Sequence, residues 1–223
     1  MIAVAGGKGG SGKTTTAIGL ARALSRRGAP VVAADADWDL PNLARLTAET
    51  STRPDANHVP TILDATRADG QPCPERSTPT VLAAPENPQN IDARVTFESL
   101  DRSVSDDTPT LLDCPAGVSP DAVAPLHAAK RCLLVTPLRR PALRDAAKTA
   151  AIARRLNCSP LGVVVVRAES VPDSVSDLLG CPILGQIPSR EPEPLSEPAV
   201  ESAYDRVVAS LIDRYGMERW RIA

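Results

Sequence analysis

Aromatic side chains are nearly missing from this chain: two Trp, two Tyr and one Phe in 223 residues. Its core must be built from Ala, Val, Leu and Ile, a composition that suits helices packed on a buried parallel sheet. Lysine is scarce too. Only Lys8, Lys13, Lys130 and Lys148 occur, against 21 arginines. His58 and His127 stand alone, which leaves no basis for a metal site or a catalytic triad built on histidine. The cysteines Cys73, Cys114, Cys132, Cys158 and Cys181 are widely spaced and form no C-x-x-C pair. Zinc and iron–sulfur ligation therefore have no support, and the odd count fits reduced thiols in a cytosolic protein. No apolar run approaches the roughly 20 residues that a membrane-spanning helix needs. No signal peptide is visible before the first apolar run. A net charge of −2 predicts neither a strong nucleic-acid surface nor an acidic tail.

What is present is alternation of short apolar runs with amphipathic stretches. Strands are predicted at 2–5, 30–34, 81–84, 110–113, 131–136, 161–166 and 183–187. Helices are predicted at 13–27, 41–46, 97–104, 141–156 and 199–215, the first punctuated by Gly28. Ala17, Leu20, Ala21 and Leu24 share one face of the first helix. Leu143, Ala147, Ala150 and Ala151 are read as the inward face of the fourth. Residues 48–80 read as loop with one helical turn near Ile62 and Leu63, and the prolines of 188–198 as a surface loop. The expectation is one α/β domain, a doubly wound, mostly parallel sheet flanked by helices, with ligands at the carboxyl ends of the strands.

Two of the four lysines lie in one loop, Gly7-Lys8-Gly9-Gly10-Ser11-Gly12-Lys13-Thr14. The spacing G-x-x-x-x-G-K-T is met by Gly7, Gly12, Lys13 and Thr14, between a strand and a helix. Glycines let successive N–H groups turn toward phosphate oxygens. The helix that follows adds its positive N-terminal end. Lys13 supplies a point charge to the outer phosphates, and the Thr14 hydroxyl can hold Mg²⁺. Two further carboxylate strings follow. Asp35 and Asp37, at i and i+2, lie on one side of an extended chain, within reach of a metal or a water. Leu111-Leu112-Asp113 is an apolar strand ending on a carboxylate. Asp39 reads as a helix N-cap.

With Lys8 inside the loop and Thr15 after Thr14, this chain resembles the deviant Walker A motif of the MinD/ParA family of P-loop ATPases. The resemblance implies that Lys8 reaches the phosphate of a nucleotide held by a partner subunit, and hence an ATP-bound sandwich homodimer. It implies that Asp37 orients the hydrolytic water, that Asp35 sits by the metal and the dimer seam, and that Asp113 binds Mg²⁺ through water. Asp113-Cys114-Pro115-Ala116-Gly117 is similar to the second switch of MinD-like members. Plasmid-partition members more often show two prolines there, and Pro-Gln after D-x-D, so this chain lies nearer MinD. Val163-Val164-Val165-Val166-Arg167 resembles the base-contacting strand. The family usually has Asn before that Arg, and Val166 makes no hydrogen bond. Either adenine is read by backbone near Pro188 and Ser189, or selectivity is loosened. Arg167 is either a base-stacking residue or an ordinary surface arginine. The resemblance covers most of the chain except residues 48–108, where it is limited to a weak strand match.

The family reading implies Mg-ATP as cofactor, slow hydrolysis, a protein activator or cargo partner, and a cytoplasmic location with peripheral contact at the inner face of the membrane left open. The tail after Tyr215, with Trp220 and Ile222 among arginines, is about two helical turns, too short to hold a bilayer alone. Arg139, Arg140 and Arg144 read as a solvated face, so DNA is not indicated. The rivals are a carboxylate-activating enzyme of the cobyrinic-acid amide synthase or dethiobiotin synthetase type, and an adaptor without turnover, against which Asp37 argues. The missing C-x-x-C and the single P-loop disfavour the iron–sulfur carriers and arsenite-pump ATPases of the superfamily.

Overall fold

The run Ile2–Ala5 (β1) is buried at every position, as an unbroken apolar run must be when a strand is covered on both faces. A computed structural model of the chain describes residues 1–50, 59–67, 77–117 and 120–216. After β1 come α1 (Lys13–Arg26), β2 (Val32–Asp35), α2 (Leu43–Glu49), α3 (Ile62–Ala65), β3 (Thr80–Leu82), α4 (Ala93–Ser103) and β4 (Thr110–Asp113). Then follow α5 (Pro120–Ala129), β5 (Arg131–Pro137), α6 (Arg140–Arg155), β6 (Ser159–Val166), α7 (Ser174–Leu179), β7 (Ile183–Ile187) and α8 (Pro198–Tyr215). The seven strands form one sheet in the order β3-β2-β4-β1-β5-β6-β7, and every pairing is parallel. The sheet is thus wholly rather than mostly parallel.

Alternate residues of each strand face opposite layers. Val164 and Val166 belong to the core layer that holds α1 and α8, while Val163 and Val165 belong to the layer that holds α4, α5 and α6. Helix α1 stops where its sequence turns. Gly28 takes φ 77°, and the N–H groups of Gly28 and Ala29 close on the carbonyls of Ser25 and Leu24. The strand after it runs to Asp35, one residue beyond the expected end, and so carries that carboxylate on the sheet. On α6 the inward residues are Ala146, Ala150 and Ala153, and Ala151 is exposed. A step of about 100° per residue turns position 151 away from the face that holds 146, 150 and 153.

Two helices have no counterpart in the sequence reading. Helix α5 contains Pro125, which argues against a helix when read alone. The carbonyl it leaves unpaired lies four residues back at exposed Asp121, in the first turn. Helix α7 has six residues, too few for a period to show, and ends on Gly180 at φ 62°. Helix α4 begins four residues earlier than expected because the Asp92 carboxylate accepts from the Val95 N–H, a cap at Asp92.

Gly19 lets α1 and α8 touch. A Cβ there would lie 2.3 Å from Cε2 of the buried Tyr204 ring, whose hydroxyl meets Thr16 Oγ1 at 3.4 Å. Gly19→Ala is expected to lower stability by about 1–3 kcal/mol, because a ring 1% exposed has nowhere to move. Urea denaturation with an unchanged midpoint would show that the ring can yield.

Candidate functional site

The carboxyl ends of β1, β2 and β4 meet at one point. Register pairs Asp35 with Asp113 and Val4 with Asp113. The chain leaves β1 there through a loop that sterics hold in place. A Cβ at Gly6 would lie 2.6 Å from the Val135 carbonyl oxygen. A Cβ at Gly7 would lie 2.2 Å from Asp145 Cβ, so the loop abuts α6. Gly10 and Gly12 take φ 71° and 90°, the region that favours glycine. Gly12 then opens α1, whose first turn has no acidic residue to offset the positive end of its dipole. Lys13 is 7% exposed, and its Nζ meets the Lys8 carbonyl oxygen only at 3.4 Å. A buried ammonium with so long a contact calls for an anion. Ser11 Oγ is buried without a hydrogen-bond partner.

The three carboxylates divide their work. Asp35 Oδ1 accepts from the Asp37 N–H at 3.1 Å, and its Oδ2 accepts from the N–H groups of Asn42 and Leu43 at 3.0 and 2.9 Å. It therefore fastens the loop 36–42 to the sheet. The capping residue of α2 is Asn42, and Asp39 is exposed three positions before it. The expected cap at Asp39 is thus corrected: Asp35, from the neighbouring strand, takes the orphan N–H groups of that helix. Asp37 is half-buried and accepts from the Leu40 N–H at 3.2 Å. Asp113 is 1% exposed, and its Oδ1 has no hydrogen-bond partner. Thr14 lies beside it and favours its charged form.

That orphan oxygen and the Thr14 hydroxyl are hard donors of the kind Mg²⁺ takes. No group of three His, Cys, Asp or Glu among the described residues could hold a metal by itself. The residues fit an ion that arrives with phosphates and keeps its waters rather than one held in a protein cage. Burial pushes the Asp113 carboxyl up to about 7, against Thr14, with Asp35 raising it further and Lys13 lowering it. Burial likewise pushes Asp35 up to about 6, against three backbone N–H bonds.

In the apo chain these shifts weaken folding as pH rises. Between about pH 4 and 7 the folded chain keeps protons that the unfolded chain has lost, so stability is full below about pH 4, falls as pH rises from there to 6 and 7, and levels off above. At about 1.4 kcal/mol per pK unit the loss from pH 5.5 to 8 is on the order of a few kcal/mol. Asp113→Asn should remove most of it. Equal pH slopes for wild type and variant in denaturant titrations would contradict this assignment.

Lys8 lies on the rim. Its side chain is 62% exposed, and Nζ pairs with Asp145 Oδ2 of α6 at 3.2 Å. Lys148 shares the same carboxylate at 3.4 Å, and these two amines hold it below the usual carboxylate range. Asp145 was not foreseen as part of the site, and nothing in the sequence ties it to Lys8. The same is true of Trp38, which ties the 36–42 loop down. Its Nε1 donates to the Asp35 carbonyl at 3.1 Å, and its ring lies 5.3 Å from that of Phe97.

Beyond Gly12 lies a cavity of about 400 Å³ lined by Thr15, Val166, Arg167, Pro188 and Ser189. Arg167 takes φ 55°, and its Nη2 donates to the Gly10 carbonyl at 3.0 Å. It braces the phosphate loop as well as lining the cavity. The structure thus brings all the expected site residues, from Gly7 to Thr15 and Asp35, Asp37, Asp113, Arg167 and Pro188, to one edge of the sheet. Arg139, Arg140 and Arg144 are exposed. Cys114, Cys132, Cys158 and Cys181 are buried free thiols. Among the described residues no helix is long and apolar enough to cross a membrane. Cys73, His58, Trp220 and Ile222 lie outside the described residues.

Comparison with known proteins agrees with this geometry. The septum site-determining protein MinD of Synechocystis is 28% identical over 204 residues, covering 84% of this chain and 75% of that protein. The cell division ATPase MinD of Pyrococcus furiosus superposes with a TM-score of 0.75 at 24% identity, over 95% of this chain and 98% of its own. The septum site-determining protein MinD of Pyrococcus horikoshii, solved with Mg-ADP, gives 0.75 at 23% identity, over 99% and 98%. These two share the fold. Residues 2–196 match the CobQ/CobB/MinD/ParA nucleotide binding domain, and the chain belongs to that family.

Proposed function

We propose that this chain is a MinD/ParA-like ATPase that binds Mg-ATP, pairs face to face with a second copy, and hydrolyses ATP slowly as a positioning switch. The observation that carries the reading is the pairing of a buried, unpartnered Asp113 oxygen beside Thr14 with an exposed lysine, Lys8, on the rim of the same loop. Lys13, the loop amides and the N-terminus of α1 bind and orient the phosphates. Thr14 and Asp113 would hold Mg²⁺, which when bound draws charge from the phosphate oxygens. Asp37 orients the attacking water, and Asp35 keeps Asp37 in place. Lys8, from the second copy, meets charge that develops on the transferring phosphate. The Mg-ADP bound by the Pyrococcus horikoshii protein supports the ligand, and the septum-site relatives support a role in cell-division positioning. A protein activator or cargo, and contact with the membrane surface, complete the proposed cycle.

The carboxylate-activating rival needs a second substrate pocket. A cavity of about 720 Å³ does open beside Asp35, but Asp35, Asp39, Glu86 and Asp121 line it, with Arg45 as its cation. Such walls repel an acid substrate. The test is phosphate release from Mg-ATP by the purified chain with no other substrate. A rate of release per chain that rises with protein concentration supports a dimeric switch. Release only on addition of a carboxylic acid would favour the rival.

A further inference from the structure

We infer that Trp38 is a positioning residue for hydrolysis, setting where the Asp37 carboxylate stands. The inference rests on the nucleotide reading above, in which Asp37 orients the attacking water. The chain has five aromatic residues, and two of them, Trp38 and Phe97, meet at the foot of the loop that carries Asp37. Within 37–42 only Trp38 packs its side chain on a core layer. Leu40 is 76% exposed, and Asp39, Pro41 and Asn42 are exposed as well. The Trp38 ring lies 5.3 Å from that of Phe97 at a tilt of 49°, and Phe97 is fully buried on α4. The ring therefore ties an otherwise exposed loop to a fixed part of the core.

A carboxylate is aimed by the backbone on both sides of its Cα. On the N-terminal side, the Asp37 N–H donates to Asp35 Oδ1 at 3.1 Å. On the other side stands Trp38, whose Nε1 turns back to donate to the Asp35 carbonyl at 3.1 Å. Both bonds end on the last residue of β2, so the Asp37 Cα is held between two anchors on the sheet. Past Trp38 the next bonds to the sheet are at Asn42 and Leu43, whose N–H groups meet Asp35 Oδ2. The Asp37 carboxylate itself keeps one bond, to the Leu40 N–H at 3.2 Å, inside the exposed stretch. The loop also borders the cavity of about 720 Å³, which Trp38, Asp39 and Pro41 help to line, so a released loop has room to move. Removing the ring takes away the anchor nearest Asp37 on its C-terminal side.

A misplacement of about 1 Å in a positioned group costs about 10² in rate. Single-turnover phosphate release from Mg-ATP by Trp38→Ala is therefore expected to fall about 10²-fold. The dissociation constant of the non-hydrolysable imido analogue of ATP should stay within about threefold of wild type, as for a group that serves only the chemical step. Trp38→Phe keeps a ring against Phe97 and loses the Nε1 donor, and its release should fall by about two- to tenfold, the worth of one hydrogen bond. The double variant Asp37→Ala/Trp38→Ala should be no slower than Asp37→Ala alone, because residues that act as a unit are not additive. A further loss of about 10² in the double variant overturns the inference, since the ring would then act apart from Asp37. A folded Trp38→Ala at the wild-type rate overturns it too, as does a loss of analogue affinity as large as the loss of turnover. Should Trp38→Ala fail to fold by circular dichroism, Trp38→Phe decides: slower release at unchanged affinity supports the role, and the wild-type rate removes it. If Asp37→Ala itself releases phosphate at the wild-type rate, the reading of Asp37 fails, a result distinct from any of these.

Discussion

Lys8→Ala is expected to leave the chain monomeric in Mg-ATP and to cut turnover by about 10³–10⁵, the range for a cation supplied to the transferring phosphate from a partner. The structure separates this lysine from the groups that hold nucleotide within one chain. Lys13 is buried beside the loop, while the Lys8 side chain is 62% exposed. Its resting partner is Asp145, and with the lysine end of the pair 62% exposed, water screens the attraction. A phosphate of a second copy can therefore take the ammonium from Asp145 at small cost. A charge donated across an interface makes pairing and phosphate binding favour each other, by linkage. The variant should still bind a fluorescent ATP analogue within about tenfold of wild type, because only an interfacial contact is lost. Sedimentation velocity with Mg-ATP checks the result. A normal dimer in the variant would remove Lys8 from the interface.

Asp37→Ala should lower turnover by about 10²–10⁴, the usual worth of a positioned base, while the dimer persists in Mg-ATP. The two effects separate because the 36–42 loop does not depend on the Asp37 side chain. The Asp37 N–H is held by Asp35 Oδ1, Asn42 and Leu43 by Oδ2, and Trp38 by the Asp35 carbonyl. Removing the Asp37 carboxylate loses one bond, to the Leu40 N–H. The loop should stay ordered and the nucleotide uncleaved. Single-turnover phosphate release measures the first effect, and sedimentation the second. Phosphate release at the wild-type rate would take Asp37 out of the chemistry. The trapped form is also the bait with which to seek the activator or cargo, by comparing pull-downs with and without ATP.

Much of the fold could be read from local pattern because the chain states it locally. All-apolar runs such as Leu161–Val166 mark strands buried on both faces, and Gly28 marks where α1 must stop. The phosphate loop was legible for the same reason: glycine spacing, Lys13 and Thr14 act on consecutive backbone atoms, and consecutive atoms are what a sequence records. Where a signal was local but conflicting, as with Pro125 inside α5 or the six residues of α7, reading failed. The burial of these helices against the sheet, not their own propensity, makes them helical.

What only the tertiary structure decided are relations between distant residues. It gave the capping of α2 to Asp35 on a neighbouring strand, and so left Asp39 without that role. It left one oxygen of Asp113 unpartnered where β1, β2 and β4 end together. It also paired Lys8 with Asp145, because Gly7 has no Cβ and lets the loop rest against α6. The sequence alone determined that a phosphate would be bound, since that needs one loop. That Asp113 keeps an unpartnered oxygen and that Lys8 rests on Asp145 depend on strand order and helix packing, which no spacing along the chain records.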